Sequence, residues 1–153
     1  MKRKSTSKGF VLTLDNQSLA MKLIASIISI DDLYILLNKH GQTLSYTKLK
    51  QDEDGKMLSD AEACTKLISE GIPNDPMMNI GKNKVRCSAV ESIENHNGKD
   101  FSGLIFRGEE NAILAFQPIQ TAEKRDLAVS KFHTAIEGYE SGKFIQPDLV
   151  GIL

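Results

Sequence analysis

Between Lys84 and Ser141 the apolar residues change from an alternating to a helical spacing, and no other feature limits the fold as tightly. Lys84–Glu94 alternates, with Val85, Cys87, Ala89 and Ile93 on one side and Lys84, Arg86, Ser88, Ser92 and Glu94 on the other. That pattern predicts one half-buried strand. His96-Asn97-Gly98-Lys99 contains Asn-Gly, the strongest short hairpin signal, because both residues tolerate positive φ. Phe101–Arg107 is the expected return strand, and Gly108-Glu109-Glu110-Asn111 a second turn. Ala112–Phe116 is apolar on both faces, which suits the centre of a sheet or the underside of a helix. Pro118 closes it. From Thr121 to Ser141, Ala128, Val129, Phe132, Ala135, Ile136 and Tyr139 fall on one helical stripe. The expected class is therefore α+β: an antiparallel meander of three or more strands packed against a long C-terminal helix.

The N-terminal part is expected to add helical segments. Asp15-Asn16-Gln17-Ser18 ends on a good N-cap, and Ala20, Leu23, Ile24, Ile27, Ile30, Tyr34 and Leu37 follow at three- and four-residue spacing. Ser29-Ile30-Asp31-Asp32 offers a second cap, and Asn38-Lys39-His40-Gly41 a stop. A competing assignment pairs Leu33–Asn38 with Gln42–Lys48 as a hairpin turning at His40-Gly41. Thr43–Leu49 alternates like a strand, and Gly9–Leu14 is a short strand or apolar arm. Ser59-Asp60-Ala61-Glu62 forms a capping box for a middle helix that carries Ala61, Cys64, Thr65 and Ile68 and stops at Gly71. Ile72–Ile80, with Pro73 and Pro76, is a loop by this pattern, and Phe144–Leu153 is apolar enough to dock as an added strand.

A chain of 153 residues can bury about 70% of its unfolded surface, so residues 9–153 are expected to form one domain behind a mobile basic tail, residues 1–8. The net charge of −1 excludes a polycation that coats nucleic acid or anionic lipid. Charge is unevenly spread, +5 over residues 1–50, −4 over 51–100 and −2 over 101–153. Lys22, Asp31 and Asp32 interrupt the most apolar stretch, so no membrane partner is expected. The basic start is followed by too short an apolar run for a secretory signal. Two cysteines, Cys64 and Cys87, at no metal-binding spacing point to a reducing, cytoplasmic setting.

Catalytic chemistry finds little support. Asp126, Ser130, His133 and Glu137 share a face of the last helix, but that face lies opposite the apolar stripe and lacks an oxyanion hole. His40, His96 and His133 are scattered, and Asp52-Glu53-Asp54-Gly55 lacks the register of a calcium loop. Gly81-Lys82-Asn83-Lys84 lacks the spacing of a phosphate cradle and reads as a lead-in to a strand. The expectation is no catalytic residue, no metal and no cofactor. Nucleic-acid binding is the alternative function. It would use Lys2, Arg3, Lys4 and Lys8 on the tail with Lys39, Lys48 and Lys50, within a weakly helix-turn-helix-like segment over residues 30–50.

Partner binding needs the least special chemistry. The first expectation is a small non-enzymatic interaction module, a homodimer or the partner of another protein, which docks through a sheet edge and the apolar arms Gly9–Leu14 and Phe144–Leu153. Met57, Met77 and Met78 suit either adaptable contacts or core filling. With the hairpin at His40-Gly41, the order helix-hairpin-helix-meander-helix is similar to that of roadblock/longin-type adaptor domains. The similarity is one of order and brings no site residue with it.

Overall fold

Isoleucine and valine are stiff at χ1 and fit a pleated sheet better than a helix, and this preference prevails in the N-terminal third. A computed structural model describes residues 3–6, 9–14, 17–30, 33–48 and 74–153. β1 (Arg3–Thr6), β2 (Gly9–Leu14) and β3 (Gln17–Ala20) pair antiparallel in that order, so the opening octet, expected as a tail, carries a strand. A single 3-10 turn, Met21–Leu23, leads to β4 (Ser26–Ile30) and β5 (Leu33–Leu37).

The helix expected over residues 18–38 is thus replaced by strands. β4 and β5 pair with Ile27 opposite Leu36 and Ile28 opposite Ile35. Ile27 and Ile28 point to opposite faces and both are buried. A strand covered on both faces loses its alternation, and its apolar run then matches a helical template equally well. The helix-turn-helix over residues 30–50 falls for the same reason. After a turn at residues 38–42 the chain returns as β6 (Thr43–Lys48), which is the hairpin assignment. Asn38 Oδ1 accepts from the N–H groups of His40 (2.9 Å) and Gln42 (3.0 Å), and Gly41 takes φ +75°. The order similar to roadblock/longin-type domains therefore keeps its hairpin, meander and last helix but loses its first helix. The capping-box helix, with Cys64 and Met57, lies outside the described residues.

The expected loop over residues 72–80 contains β7 (Met77–Ile80), which starts after Pro76, a position where proline costs no ladder bond. Gly81 at φ +60° turns it directly into β8 (Asn83–Arg86). Here the single strand expected over Lys84–Glu94 breaks. Cys87–Ala89 forms a 3-10 corner, and β9 (Ser92–Asn97) continues in another sheet. Alternation survives such a corner, so the sequence pattern hides it. The five-stranded sheet runs β6-β5-β4-β8-β7. The second has β10 (Ser102–Arg107) between β9 and β11 (Ile113–Pro118). β11 is consequently an edge of its sheet, so of the two places expected for Ala112–Phe116, the sheet centre and the underside of a helix, only the second fits, with Leu114 and Ala115 buried in one core with the C-terminal helix. Asn83 ties the two sheets together: Nδ2 donates to the Phe116 carbonyl (3.2 Å) and Oδ1 accepts the Ser29 N–H (2.8 Å).

The final helix, α1 (Ala122–Glu140), forms as its signals dictate, with the Thr121 hydroxyl accepting the Lys124 N–H. Ala128, Phe132 and Ala135 are buried in the core with Leu104, Phe106 and Leu114 of β10 and β11, and with Met78, Ile80 and Val85 of the five-stranded sheet. Arg125, one turn before Ala128 on the same face of the helix, is buried too; it donates to Asn95 Oδ1 and to the Ile119 and Gln120 carbonyls. Met77 and Met78 fill the interior. Phe144–Leu153 docks without becoming a strand.

The β10–β11 turn holds two non-glycine residues at positive φ, Glu110 (55°) and Asn111 (62°), while the Ala112 N–H donates to the Glu109 carbonyl at 3.0 Å. This mirror-image turn matches sheet twist but strains glutamate, whereas asparagine tolerates it. Glu110→Asn should raise stability by about 0.5–1 kcal/mol, seen as a higher urea midpoint at unchanged slope. A lower midpoint would show that the turn does not hold this conformation.

Candidate functional site

Along β10, Leu104 and Phe106 turn inward, so Ile105 and Arg107 must face away from the helix. Register completes that outer face: Ile105 stands opposite Phe116 on β11 and Glu94 on β9, and Arg107 opposite Ile113 and Ser92. Phe101, just before β10, folds its ring over the sheet and meets Phe116 edge-on at 5.9 Å and 85°. Only glycine at position 103 permits this. A Cβ there would lie 2.8 Å from Phe101 Cζ and 2.1 Å from the Gln117 carbonyl oxygen. Phe101, Ile105, Ile113 and Phe116 line a shallow, wholly apolar hollow of about 260 Å³. Ile113 and Phe116 remain 49% and 42% exposed, high for large apolar side chains so close together.

One margin of the hollow is charged. Glu94 accepts from Arg107 Nε at 3.0 Å and from His96 Nδ1 at 2.9 Å, the histidine being the donor because a carboxylate has no proton to give. These two bonds, that from His96 first, hold the Glu94 carboxyl below the usual carboxylate range. The His96 ring in turn sits 5.9 Å from Phe101, so the ion cluster and the aromatic pair form one continuous surface.

A second hollow, about 400 Å³, lies beside the β5–β6 turn and brings His40 and Asp75 to one cleft with Lys39, Arg86 and Ser88. Its acid is already committed. Asp75 Oδ2 accepts the Ser88 hydroxyl at 2.8 Å and lies 3.9 Å from the buried Arg86 guanidinium. His40, itself half exposed, has its Nδ1 3.8 Å from Glu109 on the outer side. Such a group has nothing to exclude water from it, and a general base needs its proton partner within reach. Cys87 is buried and its thiol is pushed up to about 12, chiefly by desolvation, which leaves it un-ionised and inert at neutral pH.

Of the basic residues singled out in the sequence, the structure describes Arg3, Lys4, Lys39 and Lys48 on separate elements. Arg3 and Lys4 stand on β1 opposite Leu12 and Val11, and Lys2, Lys8 and Lys50 lie outside the described residues. Lys39 Nζ pairs with Glu109 at 3.3 Å in the turn before β6, whereas Lys48 is at the far end of that strand, about 17 Å further on at normal strand rise. Asp126, Ser130, His133 and Glu137 lie on the exposed side of α1, where Asp126 accepts from Asn95. Among the described residues no three His, Cys, Asp or Glu side chains gather as a metal set would. Among them, too, no helix is long and apolar enough to cross a membrane. The outer-face residues Phe101, Ile105 and Phe116 were missed as a site, because an outward apolar residue reads like a core one until the sheet order is known. Compared with known proteins, the chain matches no family model, no curated protein and no solved structure.

Proposed function

We propose that this protein is a small non-enzymatic interaction module that self-associates through the outer face of its C-terminal sheet. The observation that carries this reading is the apolar hollow of Phe101, Ile105, Ile113 and Phe116, with nearly half of Ile113 and Phe116 open to water. Aromatic anchors at the centre of a patch with a polar margin are the usual anatomy of a protein interface. The margin favours a second copy over an unrelated partner. It carries Arg107 and Glu94 side by side, and a two-fold axis passing between them would set each sign against its opposite. A cytoplasmic setting belongs to the same proposal and is supported by the free, buried Cys87.

Phe116→Glu is the test. It places an unpaired carboxylate at the centre of the buried patch, which should weaken the dimer about a hundredfold or more while the helical circular-dichroism signal stays unchanged. Sedimentation equilibrium across a concentration series reads the result. A wild-type chain that remains monomeric, or a variant dimer of unchanged affinity, would sink the reading.

A further inference from the structure

The open side of an edge strand can accept a further strand, and folded proteins guard such edges with bulges, prolines, charges or a covering side chain. In the five-stranded sheet the β7 edge is covered by Gln146, whose Nε2 donates to the Met77 carbonyl (2.6 Å) and whose Oε1 accepts the Asn79 N–H (2.9 Å). Its other edge, β6, bulges at Leu44, where the register passes from Leu36–Ser45 to Leu37–Thr43. β11 has the same break at Leu114, ends on Pro118 and gives its Phe116 carbonyl to Asn83. Among the described residues β9 carries no such guard. It pairs with β10 without interruption from Ser92 to Asn97 and includes no proline, lysine or arginine. Its one carboxylate, Glu94, is held by Arg107 and His96.

The Gly98 N–H donates to the Phe101 carbonyl directly across the hairpin. In an antiparallel ladder the even-numbered residues of β9 therefore bond to β10, and Ile93, Asn95 and Asn97 turn their N–H and C=O groups to the open side. Asn95 and Asn97 are exposed, and the Asn95 carboxamide is drawn inward to Arg125 and Asp126, which leaves the edge clear. We infer that β9 pairs antiparallel with β9 of a second copy about a two-fold axis at Asn95, joining two C-terminal sheets into one. Asn95 then bonds to Asn95 of the second copy and Ile93 to its Asn97, the one register that pairs all of those outward groups. On the outer face it sets Glu94 of each copy beside His96 of the other. Moving the axis one residue either way would set Glu94 against Glu94 or His96 against His96, so charge favours the register that the backbone favours. This self-complementarity makes a second copy the occupant. The contact goes beyond the face proposed above and uses a different axis, so either can hold without the other.

Isotope-filtered NMR on an equal mixture of differently labelled full-length chains tests this. Edge pairing predicts an interchain NOE between the α hydrogens of Glu94 and His96, which a non-hydrogen-bonded pair brings together. It also predicts that exchange of the Ile93, Asn95 and Asn97 amides slows at least about tenfold as chain concentration rises. Asn97→Pro removes an outward donor where an edge tolerates proline, and should weaken the pairing about tenfold. No interchain NOE, with those amides exchanging at one rate at every concentration, would overturn the inference, as would an Asn97→Pro pair of unchanged affinity. Phe116→Glu separates the edge from the face. The NOE and slowed exchange persisting in that variant keep the edge, whereas self-association that leaves those amides unprotected keeps the face and overturns the edge.

Discussion

Phe132→Ala should lower the unfolding free energy by about 3–5 kcal/mol, one of the two largest effects expected of any single substitution in this chain. Phe132 is fully buried at the middle of α1 and meets Phe106 of β10 edge-on, with centroids 4.9 Å apart and planes at 88°. Truncation loses the transferred ring area, opens a cavity between helix and sheet, and breaks an aromatic pair worth about 0.5–1.5 kcal/mol beyond its area. Against a typical domain stability of about 5–15 kcal/mol, such a loss can unfold much of the population at 37 °C. Phe132→Leu keeps most of the volume and should cost only about 1–2 kcal/mol, so the two variants give a graded pair in urea titration. If Phe132→Ala costs less than about 1 kcal/mol, α1 does not pack on β10 as described.

That same contact marks where sequence and structure agree best. Thr121 caps the helix, Ala128, Phe132 and Ala135 lie on its inner face, and the meander precedes it. Local signals sufficed because capping, period and packing all favour one outcome. The Asn97-Gly98 hairpin also forms, though with Asn97 still in β9 and the connection running to Phe101, where the Gly98 N–H donates to the Phe101 carbonyl. Agreement fails where tertiary context decides. Ile27 and Ile28 are buried from opposite sides, so no alternation was left to betray a strand. β8 and β9 keep one alternating pattern across a corner that moves the chain from sheet to sheet. The candidate site was the least legible part, for the same reason. Ile105 and Phe116 face water only because no layer covers the outer face of the C-terminal sheet among the described residues, and sheet order is a long-range property.

Arg86→Met should cost about 3–5 kcal/mol, although it replaces a charge by an apolar side chain of similar length. Arg86 is 3% exposed. Its Nε donates to the Ile24 carbonyl and its Nη1 to the Asp75 carbonyl, both at 2.8 Å, and the Asp75 carboxylate lies 3.9 Å away. The guanidinium thus fastens the entry to β4 and the segment before β7 onto β8. Burial lowers its proton affinity below the ordinary arginine value while the charge of Asp75 acts in the opposite direction; the group stays ionised at neutral pH. Methionine fills the space but leaves buried carbonyls without donors and Asp75 without its counter-charge, and each orphaned group costs about 1–3 kcal/mol. Arg86→Lys should recover little, because a single ammonium cannot reach both carbonyls in the planar geometry that arginine presents. Adding Asp75→Asn to Arg86→Met should restore about 1–2 kcal/mol by removing the uncompensated charge, a coupling that a double-mutant cycle measures in urea. Strict additivity of the two substitutions would mean that Asp75 and Arg86 do not interact, and that the cleft beside them is held by the backbone contacts alone.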